Sequence, residues 1–157
     1  MLRDITARNV LMNVPHAVPA RVHLLSADWR SLAREVLDAE TAAALHLHLA
    51  STDVILASEV LYNVEYYPAL LQLLAACLRP DAGVAWIATK RFYYGVGGGV
   101  GSFVAALAQY NRCNARVATF SVDTVASMED GKSMVRDILA VRLIPSRPPT
   151  ANAASPA

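Results

Sequence analysis

Apolar residues fall along this chain in short blocks, most at helical spacing and a few as continuous runs, with turn residues between them. In residues 2–13, Leu2, Ile5, Val10 and Leu11 suit the last turns of a helix, which Pro15 and Pro19 then stop. Val22, His23, Leu24 and Leu25 form a short strand candidate, and the polar Ser26 and Asp28 that follow are placed to cap the next helix. Residues 31–37 and 39–49 read as helices, the second rich in alanine, leucine and histidine. Residues 53–57, Asp-Val-Ile-Leu-Ala, are a compact apolar run of the kind found in buried parallel strands.

The clearest helix spans residues 66–79. Tyr67, Leu70, Leu71, Leu74 and Leu78 make one face, and Pro68 falls in the first turn, where a missing N–H costs little. Residues 80–83 are a turn and residues 84–89 the next buried strand. A glycine run leads into a helix with Val100, Phe103, Val104 and Leu107 on one side. Residues 116–123 and 134–143 are rich in strand formers, with a turn signal at Asp130 and Gly131 between them, so they read as an antiparallel pair closing the sheet. From Pro145 the chain is proline, alanine, serine, threonine and asparagine with a single Arg147, which predicts a disordered tail over 145–157 after a domain over 1–144. Strands alternating with helices, then a final hairpin, predict a doubly wound α/β sheet with an antiparallel edge.

Composition narrows the function classes. The chain of 157 residues is 55% hydrophobic and 17% charged, so it can bury a core, and its length allows one domain at most. A formal net charge of +1 with no block of like charges carries no nucleic-acid signature. Cys77 and Cys113 fall in helical patterns and do not make a disulfide framework, which fits a reducing compartment. Residues 1–12 lack the apolar core of a signal peptide, and no apolar run is long enough to span a membrane. His46 and His48, two apart on a helix, point away from each other, and no metal site is predicted.

The chemistry concentrates at two strand ends. Ser58, Glu59, Tyr62 and Asn63 follow the strand at 53–57; Lys90, Phe92, Tyr93, Tyr94 and the run Gly95, Val96, Gly97, Gly98, Gly99 follow the strand at 84–89. Open α/β sheets bind their ligands at the carboxyl ends of the strands. Residue type alone leaves Glu59 equally a capping or solvated carboxylate, Tyr66 and Tyr67 plain core and surface aromatics, Trp29 and Trp86 packing residues, Lys90 a solvated strand end, and the glycine run a flexible loop.

With this order of elements, the two motifs resemble the histidine protein methyltransferase branch of the seven-β-strand S-adenosylmethionine-dependent methyltransferases. That branch carries a serine-glutamate-x-x-tyrosine-asparagine motif after its fourth strand, matched by Ser58, Glu59, Tyr62 and Asn63. After the fifth it carries a lysine, aromatics and a glycine-rich loop, matched by Lys90, Tyr93 and residues 95–100. An acidic-tryptophan turn after the third strand has its counterpart in Asp28 and Trp29. The resemblance covers residues 2–143 by order of elements and is weak over 32–49 and beyond Gly101. Arg91 and Phe92 depart from the small or histidine residues common in the family.

The resemblance implies a Rossmann-like class I methyltransferase sheet, mostly parallel with an antiparallel C-terminal hairpin, whose last strand lies between the fifth and the sixth. The family's glycine-rich cofactor turn and the acidic residue after its second strand have no counterpart here. The expectation is therefore the C-terminal part of such a domain, lacking its first two strands: a truncated gene model, a spliced fragment or a degenerate copy that binds the cofactor poorly. By the same resemblance, Glu59, Tyr62 and Asn63 are catalytic candidates. Asp28, Trp29 and Ser58 lie beside S-adenosyl-L-methionine. Lys90, Tyr93, Gly95, Gly97, Gly98 and Gly99 line the substrate groove, the glycines letting a substrate backbone approach. The implied partner is a protein substrate, a ribosomal protein by family resemblance, in cytoplasm and nucleus. A protein-lysine methyltransferase and a non-catalytic fragment or pseudoenzyme are the alternatives.

Overall fold

The computed structural model describes residues 6–13, 22–36, 38–47, 49–129, 131 and 134–146. Three short helices come first, α1 (Ala7–Asn13), α2 (Trp29–Glu35) and α3 (Ala39–Ala44). They are followed by β1 (Val54–Ser58), a 3₁₀ turn (Val64–Tyr66), α4 (Tyr67–Cys77), β2 (Val84–Lys90), α5 (Val100–Asn114), β3 (Ala118–Met128) and β4 (Arg136–Pro145).

The sheet order is β1-β2-β4-β3, with β1 parallel to β2 and the other two pairs antiparallel. The last strand lies between β2 and β3, as the resemblance implies. The four-stranded sheet is nevertheless mixed rather than mostly parallel, because one pair of three runs parallel. The α4 face expected from spacing is the one buried: Tyr67, Leu70, Leu71, Leu74 and Leu78 join Phe103 and Leu107 of α5 over Ala85, Ile87, Leu139 and Val141 of the sheet. Val104, expected on the buried side of α5, is 39% exposed.

Two expectations fail for local reasons. Residues 22–25 form no strand and, among the described residues, pair with none of the sheet, as expected of this segment without its neighbouring strands; a lone extended segment has no ladder to hold it. The helix expected over 39–49 stops at Ala44, where Leu47 N–H donates to Ala42 C=O (2.8 Å) and His46 N–H to Ala43 C=O (3.0 Å). With His46 at φ 55° this is a Schellman stop, which the sequence hides because a histidine stands where glycine usually does. The run at 53–57 forms β1 at the edge of the sheet, the place that loss of the first two strands of such a sheet would leave it, with Val54 53% and Leu56 78% exposed. Among the described residues, helices α4 and α5 cover one face of the sheet, and every second residue of β1 faces outward.

The tail from residue 147 and Asp130 of the expected turn lie outside the described residues. Pro145, assigned by composition to the tail, ends β4, and Ser146 N–H donates to Val117 C=O (3.0 Å).

Candidate active site

The cleft lies at the carboxyl end of β1, beside the start of α2 and the turn into α4. Its lining is Asp28, Trp29, Glu59, Val60, Tyr62, Tyr66 and Leu70. The structure therefore brings the Asp28–Trp29 turn, distant in sequence, against the turn after β1. The open cleft holds about 140 Å³, which is below the range of roughly 300–1,000 Å³ usual for small-molecule sites and near the ~150 Å³ of a cavity that takes one aromatic ring.

Asp28 caps α2. Its Oδ1 accepts from Arg30 N–H (3.0 Å) and Ser31 N–H (3.3 Å). The Ser31 backbone bond, followed by Arg30, holds its carboxyl below the usual range despite some desolvation. Trp29 is 37% exposed on the cleft wall, and the Arg30 guanidinium lies 5.6 Å from the centre of the Tyr66 ring.

Glu59 sits in the left-handed region at φ 56°, a strained setting for a residue with a Cβ. Its N–H donates to Ala88 C=O (2.8 Å), which fixes the turn to the end of β2. Its Oε2 accepts from Tyr93 O–H (2.8 Å) and lies 3.8 Å from Lys90 Nζ. Tyr93, expected on the groove wall, thus turns its hydroxyl toward Glu59. That oxygen also accepts from Lys90 N–H (3.3 Å) and lies 3.2 Å from Thr89 Oγ1. Desolvation, and secondarily the Glu59 carboxylate, push the Tyr93 phenol upward, partly offset by the Thr89 and Lys90 hydrogen bonds.

The glycine loop serves the turn after β1. A Cβ on Gly98 would sit 2.3 Å from both Leu61 C=O and Tyr62 C=O, and one on Gly99 2.4 Å from Arg91 C=O. Asn63 bridges Gly97 across the junction. The close approach expected of a substrate backbone is made at Gly98 and Gly99 by the chain itself. A Cβ on Gly95 or Gly97 would meet nothing within 4 Å.

The two motifs are further clasped by Tyr67. Its hydroxyl donates to Leu61 C=O (2.8 Å), accepts from Gly99 N–H (3.0 Å) and lies 3.2 Å from Ser102 Oγ. Residue type read Tyr67 and Tyr66 as plain aromatics; Tyr67 is buried in the core, but its hydroxyl also holds the two motifs, and Tyr66 lines the cleft. The available signal for Tyr67 was that a tyrosine on the apolar face of a helix needs a partner for its hydroxyl.

Of the expected site residues, Lys90, Tyr93 and the loop glycines do not line the cleft, and Asn63 and Ser58 lie elsewhere as well. The Asn63 side chain caps the 3₁₀ turn, its Oδ1 accepting from Glu65 N–H (2.9 Å), and it does not line the cleft. Ser58 faces the open side of the sheet with Leu56, Trp86, Ala88 and Ile138. Tyr62 is 45% exposed and lines the cleft. Among the described residues, no group of three or more His, Cys, Asp or Glu is placed to hold a metal ion, and no helix is long and apolar enough to cross a membrane.

No family model matches the chain. It is 30% identical over 141 residues to a protein of Dictyostelium discoideum named histidine protein methyltransferase 1 homolog, a match covering 90% of this chain and 39% of that protein. A Rattus norvegicus protein of the same name is 34% identical over 83 residues, covering 53% of this chain and 21% of that protein. The chain thus spans about two fifths of the length of the first of these curated relatives. The likeness to the histidine protein methyltransferases, first visible in two motifs, therefore extends over most of this chain and over part of theirs.

Proposed function

We propose that this chain forms the substrate side of a protein-histidine N-methyltransferase site that uses S-adenosyl-L-methionine, with a ribosomal protein as substrate in cytoplasm and nucleus. The observation that carries the reading is the meeting of Asp28 and Trp29 with Glu59 and Tyr62 in one cleft, in a chain whose relatives bear that name.

The donor set suits the adenine end of the cofactor. The tryptophan offers a flat apolar surface, and the Asp28 carboxylate, acceptor-only when ionised, can receive an amine N–H. The described cleft is too small for the whole molecule, so these residues hold one end of it. When bound, the cofactor supplies an activated methyl group on a sulfonium.

The chain's own part is orientation. Methyl transfer to nitrogen is an in-line displacement, and alignment contributes as much as about 7–11 kcal/mol in favourable cases. The attacking imidazole nitrogen must be unprotonated, with the other ring nitrogen carrying the proton. Glu59 accepts that N–H and so selects the tautomer. Tyr62 and Val60 line the approach and exclude water, and Lys90 stands behind Glu59 as counter-charge.

The test is transfer of label from S-adenosylmethionine to ribosomal proteins, with each labelled substrate repeated after histidine-to-alanine replacement. Label that persists without the histidine sinks the reading and returns the lysine alternative. A second reading, a non-catalytic form, is supported by the small volume of the cleft. Calorimetry separates the two, since stoichiometric cofactor binding by this chain excludes a piece unable to hold it.

A further inference from the structure

We propose that Tyr93 is a positioning residue, whose hydroxyl binds Glu59 Oε2 so that Oε1 is presented to the ring N–H of a substrate imidazole. The inference rests on the histidine-site reading above, and its geometric half stands on the hydrogen bonds alone.

The Tyr93 oxygen has one proton to give. Lys90 N–H donates to it at 3.3 Å, and this bond comes from the backbone and cannot reverse. Thr89, 1% exposed, lies 3.2 Å away with either oxygen able to donate, and its own proton can go instead to Lys90 C=O at 3.3 Å. The shortest of the contacts, 2.8 Å to Glu59 Oε2, takes the phenolic proton. A donor fixed on both sides by β2 is therefore aimed at one carboxylate oxygen. Among the described residues, Glu59 Oε1 accepts none of the hydrogen bonds found, while Oε2 has both Tyr93 and, at 3.8 Å, Lys90.

The backbone repeats the arrangement. Glu59 is held in the left-handed region and tied by its N–H to Ala88 C=O of the same strand. Strain of this kind persists only where the surroundings over-determine it. The end of β2 thus fixes Glu59 at the main chain and at one carboxylate oxygen, while Glu59 itself lines the cleft. A free glutamate would sample several rotamers, and ordering it on substrate binding would lower affinity.

The experiment uses the whole chain with ¹³Cζ-labelled tyrosine, and 4-methylimidazole as the probe. In the wild type the Tyr93 signal is expected to titrate above the ordinary tyrosine value and to move down in Glu59→Gln. Tyr93→Phe is expected to keep the amide spectrum of the fold and to weaken 4-methylimidazole binding about tenfold, the equivalent of about 1.4 kcal/mol. A Tyr93 titration indifferent to Glu59→Gln overturns the positioning role. If that titration responds but the wild type does not bind the imidazole, the histidine-site reading fails and with it the presentation of Oε1, while the Tyr93–Glu59 bond stands. If Tyr93→Phe loses the fold, Thr89→Val, which removes only a flanking hydroxyl, must still move the Tyr93 titration; no movement refutes the network.

Discussion

The two faces of the sheet are made from the same kind of strand and have opposite fates. On one face, Ala85, Ile87, Leu139 and Val141 are fully buried beneath α4 and α5. On the other, Leu56 is 78% exposed and lines a shallow hollow with Ser58, Trp86, Ala88 and Ile138. That open face changes character across the sheet: toward β3 it carries Ser121, Asp123 and Arg142, with Arg142 Nη1 3.6 Å from Asp123 Oδ2. An apolar run specifies a strand, but coverage depends on what lies above it. The candidate site belongs to neither face; it sits at the strand ends, where the glycine loop is wedged against the turn after β1.

The sharpest way to break the covered region from the site side is Gly98→Ala. Its Cβ would land 2.3 Å from two carbonyl oxygens of the turn after β1, so the two motifs must separate. We expect a loss above about 4 kcal/mol in denaturant melts, a size tied to a named clash. Gly95→Ala, with nothing within 4 Å but φ +81°, should cost only about 1 kcal/mol. Similar losses in the two variants would contradict the wedge.

Next comes Ile87→Ala on the covered face. Removing a fully buried branched side chain from the centre of the core should lower stability by about 2–5 kcal/mol. A loss under 1 kcal/mol would mean that the helices do not cover this face in solution.

The corner beyond the site is held by charge. Asp137, 2% exposed, accepts from Arg91 Nε (2.9 Å) and Nη2 (2.8 Å) and from Ser127 Oγ (2.6 Å). The Arg91 hydrogen bonds are the largest cause holding its carboxyl below the usual range, against its desolvation. A carboxyl depressed in the folded state contributes stability above its unfolded pKa and loses it as pH falls through the folded value. Asp137→Asn should therefore cost about 1.5–3 kcal/mol near neutrality, and the gap between variant and wild type should close below about pH 4. Urea midpoints measured across that range check the sign: a gap that widens in acid would reverse it.

The smallest effect is expected on the open face. Leu56→Ser should change stability by less than about 0.5 kcal/mol, yet reduce any concentration-dependent association seen by light scattering, because an apolar edge strand is a template for pairing. A large stability loss would show that this face is covered after all.

Much of the fold was legible. The α4 stripe, Pro68 in its first turn, the strand at 84–89 and the final hairpin all follow from local pattern, because each periodicity matches the face that is buried. The candidate site was half legible. Glu59, Tyr62, Asp28 and Trp29 were found from motif resemblance, and they meet in one cleft. The capping role of Asn63, the outward turn of Ser58 and the clasp made by Tyr67 were not, since each depends on which way a side chain points after the chain has turned.

By itself, then, the sequence determined the element types, their order and the residues that carry chemistry, because hydrophobic period and turn chemistry act over a few neighbours. Only the tertiary structure decided that α3 stops at a histidine in the left-handed region and that the glycine loop serves the turn after β1. It also decided that Tyr93 faces Glu59 rather than the groove. The loop and the Tyr93 contact depend on atoms that come within a few ångströms of each other across more than thirty residues of chain, a distance over which no local propensity acts. The α3 stop, by contrast, is local and was hidden because residue type does not favour a left-handed histidine.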